Sequence, residues 1–404
     1  MLLSLALMII TGFILSEAAQ KLRLPRIIGM MATGMVLGPF VLDWLAPELL
    51  TISSDLRRIA LVVILLRAGL SLDLGDLRKV GRPAFLLAFI PATFELVAVI
   101  LLAPPILGFT YLEAALLGSI LAAVSPAIVV PRMLRMMKEK HGTKRGIPQM
   151  ILAGASVDDV YVIVLFAAFL DMMVTDSSGF LDIALVPVSL VLGVVTGLLF
   201  GLLFVRLFKR YHMRDTNKIL LLLSFSLFFL ALEDLVSGTV PFSGLLAIFA
   251  MGITLLAQYE RLAKRLVVKY EKIWVFTELL LFVLVGAAVN LPLAFAIGWQ
   301  AILLVLLVLL IRSFGTFIAT SRAGLLMKER VFTVFAYLPK ATVQASIAGL
   351  PFAMGIAKGE AMLAVAVLAI LITAPLGAFL TDFTKHRLVE VEPEDHKPMV
   401  LNRD

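Results

Sequence analysis

Apolar residues run along this chain in blocks close to the ~20 residues that a helix needs to cross roughly 30 Å of hydrocarbon. Thirteen blocks follow one another, at residues 2–18, 27–45, 58–72, 83–104, 111–133, 147–173, 181–206, 217–236, 240–257, 272–289, 294–320, 330–353 and 360–381. The stretches between them leave no room for an independent soluble domain. The first block lacks a basic flank and is followed at once by further blocks, so it reads as a span and not as a cleaved signal peptide.

Composition agrees with that pattern. The 404 residues are 61% hydrophobic and 16% charged with a mean hydropathy of +1.05, where a soluble protein carries about 25% charged residues. An all-α polytopic membrane protein is predicted. Cysteine is absent, which excludes disulfides and thiolate chemistry. The four histidines, His141, His212, His386 and His396, fall between or after apolar blocks and read as solvated loop residues, not metal ligands. The loops after odd-numbered blocks, with the C-terminal tail, hold all but six of the 35 lysines and arginines; the exceptions are Arg57, Arg58, Arg67, Arg312, Lys340 and Lys358. Basic residues stay in the cytoplasm, so this bias puts the N-terminus outside and the C-terminus inside, in a cell membrane. The net charge of +7 then needs no nucleic acid; basic cytoplasmic loops such as 132–145 account for it and can touch anionic lipid.

Thirteen blocks divide into six, one and six, and with block 7 as a linker the two sets of six have opposite orientation, as in an inverted-repeat transporter. Unusual features recur at matching places. The fifth block carries Ala123-Val124-Ser125-Pro126-Ala127-Ile128-Val129-Val130-Pro131, and the twelfth carries Leu338-Pro339-Lys340-Ala341-Thr342-Val343-Gln344-Ala345 and then Pro351. A mid-span proline frees backbone groups that lipid cannot satisfy and a buried ion can. A kink is the simpler meaning of either Pro126 or Pro339 taken alone; matched placement predicts two discontinuous helices that cross near the bilayer midplane. Lys340 would then neutralise exposed carbonyl ends.

Charges inside the apolar blocks mark the candidate site. Asp158 and Asp159 lie in the middle of block 6, and an intramembrane carboxylate pair is a functional-site hypothesis for cations or protons. Arg312 in block 11 cannot lose its proton and needs a counter-charge, which makes Glu95, in the symmetry-related block 4, its natural partner. That ion pair either tunes the aspartates or clamps the two halves. Arg67 and Glu278 lie nearer block ends, where snorkelling or loop pairing accounts for them.

These residues resemble a known family. Val124-Ser125-Pro126-Ala127 with Val130-Pro131, Gly154 to Asp159, and Leu338 to Ala345 are similar to the monovalent cation:proton antiporters, closest to the branch that includes the animal subfamily B sodium/hydrogen exchangers, and most like a prokaryotic form. The resemblance spans nearly the whole chain, including Leu24-Pro25-Arg26-Ile27-Ile28-Gly29, Leu37-Gly38-Pro39 and Arg67-Ala68-Gly69-Leu70. It implies the inverted-repeat fold of the NhaA and NapA antiporters. Residues 1–80 and 213–292 would form a dimerisation domain, and residues 81–175 and 293–382 an ion-binding core. Residues 176–212 would be the linker helix and 383–404 a cytoplasmic tail, in a homodimer. It also implies Asp159 as main cation ligand and proton carrier, with Asp158 as accessory ligand or second carrier. Arginine at 312, with glutamate at 95, departs from the best-known electrogenic relatives and points to the subfamily B branch.

The expected activity is exchange of Na⁺, or Li⁺, for H⁺ by alternating access, serving pH homeostasis, with no cofactor beyond the transported ions. Asp159, Asp158, the hydroxyls of Ser125, Ser156 and Thr342, and freed carbonyls can supply the oxygen ligands that a small hard cation requires. K⁺/H⁺ exchange and sodium-coupled uptake of an organic solute are alternatives on the same architecture. An intramembrane aspartyl protease fits poorly, because consecutive aspartates point about 100° apart on one helix. The tail acids Glu390, Glu392, Glu394 and Asp395, with His396, read as a solvated tail that could also modulate pH response.

Overall fold

A computed structural model of the protein describes residues 1–71, 81–174, 180–236 and 240–391, almost all of them helical. The helices are α1 (Leu2–Lys21), α2 (Arg26–Leu37), α3 (Pro47–Thr51), α4 (Ser53–Ser71), α5 (Arg82–Leu107), α6 (Tyr111–Leu121), α7 (Pro126–Lys138), α8 (Ile147–Val174), α9 (Phe180–Arg210), α10 (Asp215–Val236), α11 (Gly244–Gln258), α12 (Glu260–Ala287), α13 (Leu291–Ala296), α14 (Gly298–Ala319), α15 (Met327–Ala336), α16 (Thr342–Ile347), α17 (Leu350–Ala353) and α18 (Gly359–Leu388). Every apolar block contains a helix or a run of helices, although the second, 27–45, leaves helix after Leu37. Among the described residues, seven helical segments are long and apolar enough to cross a bilayer by those criteria alone: Leu2–Lys21, Arg82–Leu107, Tyr111–Lys138, Val188–Arg210, Asp215–Val236, Gly298–Ala319 and Gly359–Leu388. The chain is thus a multi-pass membrane protein, with fewer self-evident spans than the thirteen read from hydropathy. Tail residues 392–404, including Glu392, Glu394, Asp395 and His396, lie outside the described residues.

Two bodies of helices pack around their own contacts. In one, α12 lies against α2 and α4, while α11 joins α4 and carries α9 on its other side. In the other, α5 packs along α14 and α8, α6 lies against α8, and α15 against α18. Neighbouring helices approach closely where glycine removes the side chain: a Cβ on Gly34 of α2 would stand 1.8 Å from the Val283 carbonyl oxygen of α12. The pairing of α5 with α14 brings blocks 4 and 11 together, as charge neutralisation required.

Both predicted breaks are present. A capping box at Thr110 and Glu113 starts α6, which stops at Leu121; after a last helical bond from Ala122 N–H to Gly118 O the helix is broken until Pro126 occupies the first turn of α7. There proline loses nothing, since an N-terminal residue has no intrahelical acceptor. The second break separates α15, ending at Ala336, from α16, starting at Thr342. The breaks touch: the Ser125 N–H donates to the Pro339 carbonyl at 2.8 Å.

Candidate ion-binding site

Each break leaves the carbonyls of a helix C-terminus inside the core, where they carry partial negative charge and need donors. Three side chains supply them. Arg312 of α14 donates through Nη1 to Ala122 O and through Nε to Tyr337 O at 3.1 Å, so one guanidinium caps the ends of both α6 and α15. Lys340 Nζ donates to Leu121 O at 2.6 Å. Gln344 Nε2 donates to Ala123 O at 2.6 Å and to Leu121 O at 3.3 Å, while its Oε1 accepts from Ala341 N.

The cations that cap these ends share one anion. Glu95 Oε2 accepts from Arg312 Nη1 at 2.6 Å and from Lys340 Nζ at 2.7 Å, and all three residues are buried. The Glu95–Arg312 pair is therefore present, and Lys340, assigned from sequence only to carbonyl ends, is a second partner of Glu95. Asp158 completes the network: its Oδ2 accepts from the Val124 N–H at 2.7 Å, inside the first break, and lies 3.7 Å from Arg312 Nη2. With each group in its ordinary ionised state, Glu95, Asp158, Arg312 and Lys340 sum to zero charge. Asp159, next on α8 and also buried, adds the one negative charge left over.

Four of the five oxygens proposed as ligands are buried without a hydrogen-bond partner: Asp158 Oδ1, Asp159 Oδ1, Ser125 Oγ and Thr342 Oγ1. They come from α8 and from both breaks. Ser156 is not brought to them; it is exposed, and its hydroxyl donates to Leu152 O one turn back in its own helix. That back-bond is the usual local partner of a mid-helix serine. Arg67 has its guanidinium 6.0 Å from the Trp274 ring of α12, one turn before Glu278.

Several site residues escaped the sequence reading. Gln344 carried a signal, an amide in an apolar block, but its acceptors belong to the other half of the chain. Thr373 of α18, whose hydroxyl accepts from Lys340 N at 3.1 Å, carried none. His141 was expected in solvent and is buried: the 141–391 backbone bridge covers it, and its Nε2 lies 2.9 Å from His386 Nδ1.

Beyond the pair, α8 continues for three further turns to a cavity of about 300 Å³. Asp171, Glu233 and Asp234 line it together with Arg58, which binds Asp234 through both terminal nitrogens. Its net lining is acidic.

Residues 4–384 match the family described as sodium/hydrogen exchanger, transmembrane. The chain belongs to this family. Among its relatives, sodium/hydrogen exchanger 9B2 of Homo sapiens is 33% identical over 399 residues, covering 93% of this chain and 71% of the relative. Sodium/hydrogen exchanger 9B1 of Mus musculus is 34% identical over 386 residues, covering 91% and 66%. The fold matches the sodium proton antiporter MjNhaP1 of Methanocaldococcus jannaschii with a TM-score of 0.78 at 20% identity, over 95% of this chain and 97% of that one. The sodium/hydrogen exchanger family is one of secondary transporters.

Proposed function

We propose that the protein exchanges Na⁺, or Li⁺, for H⁺ across the membrane by alternating access, with cation and proton competing for Asp158 and Asp159. One observation carries the reading. Four buried oxygens lack partners, two from the adjacent carboxylates of α8 and two from hydroxyls at the breaks, and the neighbouring charge network balances except for Asp159. A desolvated anion in that position demands a counter-charge, and a dehydrated Na⁺ or a proton each supplies one. Mutual exclusion at one surplus charge gives obligatory exchange and favours one cation per proton. Ser125 and Thr342 serve as neutral ligands. Lys340, Arg312 and Gln344 hold the breaks open, and Pro126 and Pro339 set where they fall. No cofactor takes part beyond the ions carried.

The body built from α5–α8 and α14–α18, residues 81–175 and 293–382, would move against the body of residues 1–80 and 213–292. The second body would make the homodimer contact, with α9 as the linker between the two. The acidic cavity at Asp171, Glu233 and Asp234 would concentrate cations on the outer side, with the N-terminus outside, the C-terminus in the cytoplasm and the plasma membrane as the site of action.

The test is purified protein in liposomes with a lumenal pH dye, given NaCl, LiCl, KCl or choline chloride, and repeated under a clamped potential. Proton movement with Na⁺ or Li⁺ that disappears in Asp159→Asn, falls in Asp158→Asn and ignores the clamp is expected. Full exchange in Asp159→Asn would remove the site, movement with K⁺ alone would reassign the cation, and no ion-dependent movement in folded protein would favour solute symport.

A further inference from the structure

Arg57 of α4 is only 7% exposed. Its Nη1 has no hydrogen-bond partner, and among the described residues no carboxylate stands within ion-pair distance of it. The neighbouring Arg58 differs, because Asp234 holds it through both terminal nitrogens. Asp55, close by along α4, is exposed, and positions i and i+2 do not face each other on a helix. A guanidinium in a protein cannot shed its charge, and a buried ion without a counter-charge is costly. Arg312 meets that demand with Glu95; among the described residues, none meets it for Arg57.

Arg57 lines a small void of about 10 Å³ that has two walls. Ser54, Arg57, Arg58 and Leu61 form one, on a single face of α4 at spacings of three and four residues. Ser346, Gly349 and Leu350 form the other, from α16, α17 and the turn between them. The walls belong to different bodies, since α4 packs with α11 and α12, whereas α16 and α17 pack on α18. Gly349 lets the guanidinium enter the seam: a Cβ there would stand 2.8 Å from Nη1 and 3.1 Å from Cζ. With Arg58 neutralised by Asp234, the lining carries one net positive charge. Ser346 spends its proton on Thr342 O at 2.7 Å, which leaves Ser54 as the hydroxyl able to turn toward an anion. The volume suits one water-sized occupant, too little for phosphate or sulfate, and the apolar walls of Leu61 and Leu350 disfavour a strongly hydrated ion.

We propose that Arg57 holds a chloride-sized monovalent anion in the seam between α4 and the α16–α17 segment. The anion supplies the missing counter-charge, accepts from Nη1 and from Ser54, and ties the two bodies together in this arrangement. It is released when the walls part, so chloride favours the arrangement in which they meet. The site shares no residue with the carboxylate pair of α8 and takes an ion of the opposite sign.

Thermal unfolding of purified, lipid-depleted protein tests this, at fixed Na⁺ and ionic strength, with gluconate exchanged for chloride, bromide or phosphate and with anionic lipid added to gluconate in a separate arm. The wild-type midpoint should rise by about 3–6 °C when chloride or bromide reaches ten times its dissociation constant, then saturate, and should not move with phosphate. Arg57→Met should lose that rise and unfold in gluconate no lower than wild type, because it removes a charge that nothing in the fold pairs. Gly349→Ala keeps the charge, fills the seam and should weaken the halide response. Equal chloride responses in wild type and Arg57→Met overturn the proposal, as does an unchanged response in Gly349→Ala. Arg57→Met protein that is unfolded, or clearly less stable than wild type in gluconate, also overturns it by giving the guanidinium a partner within the fold. A response to phosphate alone or to anionic lipid alone would put a phosphate group in place of the halide and overturn it too.

Discussion

Replacing Arg312 by methionine keeps much of its volume and deletes its charge. The guanidinium caps Ala122 O and Tyr337 O, pairs with Glu95 at 2.6 Å and approaches Asp158 at 3.7 Å. Its loss leaves two helix-end carbonyls without those donors and a cluster with two carboxylates and one cation before Asp159 is counted. Breaking a buried pair by removing one partner costs about 3–5 kcal/mol. Lys340 remains on Glu95, which sets the expectation at the lower end. At about 2–4 °C per kcal/mol for a large domain, the unfolding midpoint should fall by roughly 10 °C. Adding Glu95→Gln restores the charge balance but not the caps, and each orphaned buried carbonyl costs about 1–3 kcal/mol. The double variant should therefore recover only part of the loss. The assay is thermal unfolding of detergent-purified protein followed by size-exclusion chromatography. A single variant as stable as wild type would refute the structural role of Arg312, and full recovery in the double variant would refute the capping argument.

Gly34→Ala puts a methyl on the Val283 carbonyl and must part α2 from α12; overpacking of this kind costs about 1–3 kcal/mol, and a lowered unfolding midpoint with normal ion dependence in the surviving protein is the expected result. At the cytoplasmic end, burial, and then His386, hold His141 below the usual histidine value, while Glu139 opposes. The unfolded segment then binds the proton that the folded one resists, so the clip between residues 139–146 and 385–391 should weaken as pH falls below about 6.5. Hydrogen-exchange protection of the Gly142 N–H, which donates to Glu390 O, should drop in acid in wild type and much less in His141→Gln; equal drops would show that other groups drive the opening.

The breaks were legible because proline beside polar residues in an apolar block has few other meanings, and the Glu95–Arg312 pair because a buried guanidinium demands an anion. The second partner, Lys340, was not, since which cation reaches a carboxylate depends on the depth at which two distant helices cross. Ser156 had the right chemistry and the wrong helical phase: its local carbonyl satisfies it, whereas Ser125 and Thr342 stand at breaks and make no such back-bond. His141 looked like a loop residue because nothing near it in sequence announces the return of the chain at Val391. Gln344 was visible as a residue type; its acceptors, Leu121 O at the end of α6 and Ala123 O in the first break, were not.

The network that balances the site is divided unevenly along the chain. Both of its anions, Glu95 and Asp158, precede both of its cations, and Arg312 and Lys340 lie 217 and 245 residues after Glu95. During synthesis the first half must therefore enter the membrane with carboxylates whose partners are not yet made. Either it waits protonated, or it stays beside the insertion machinery until α14 and the second break arrive. Assembly of the site is then a late checkpoint in biogenesis, and a chain arrested before Arg312 carries an acidic core that the bilayer cannot neutralise, a mark by which quality control can tell an unfinished copy from a finished one.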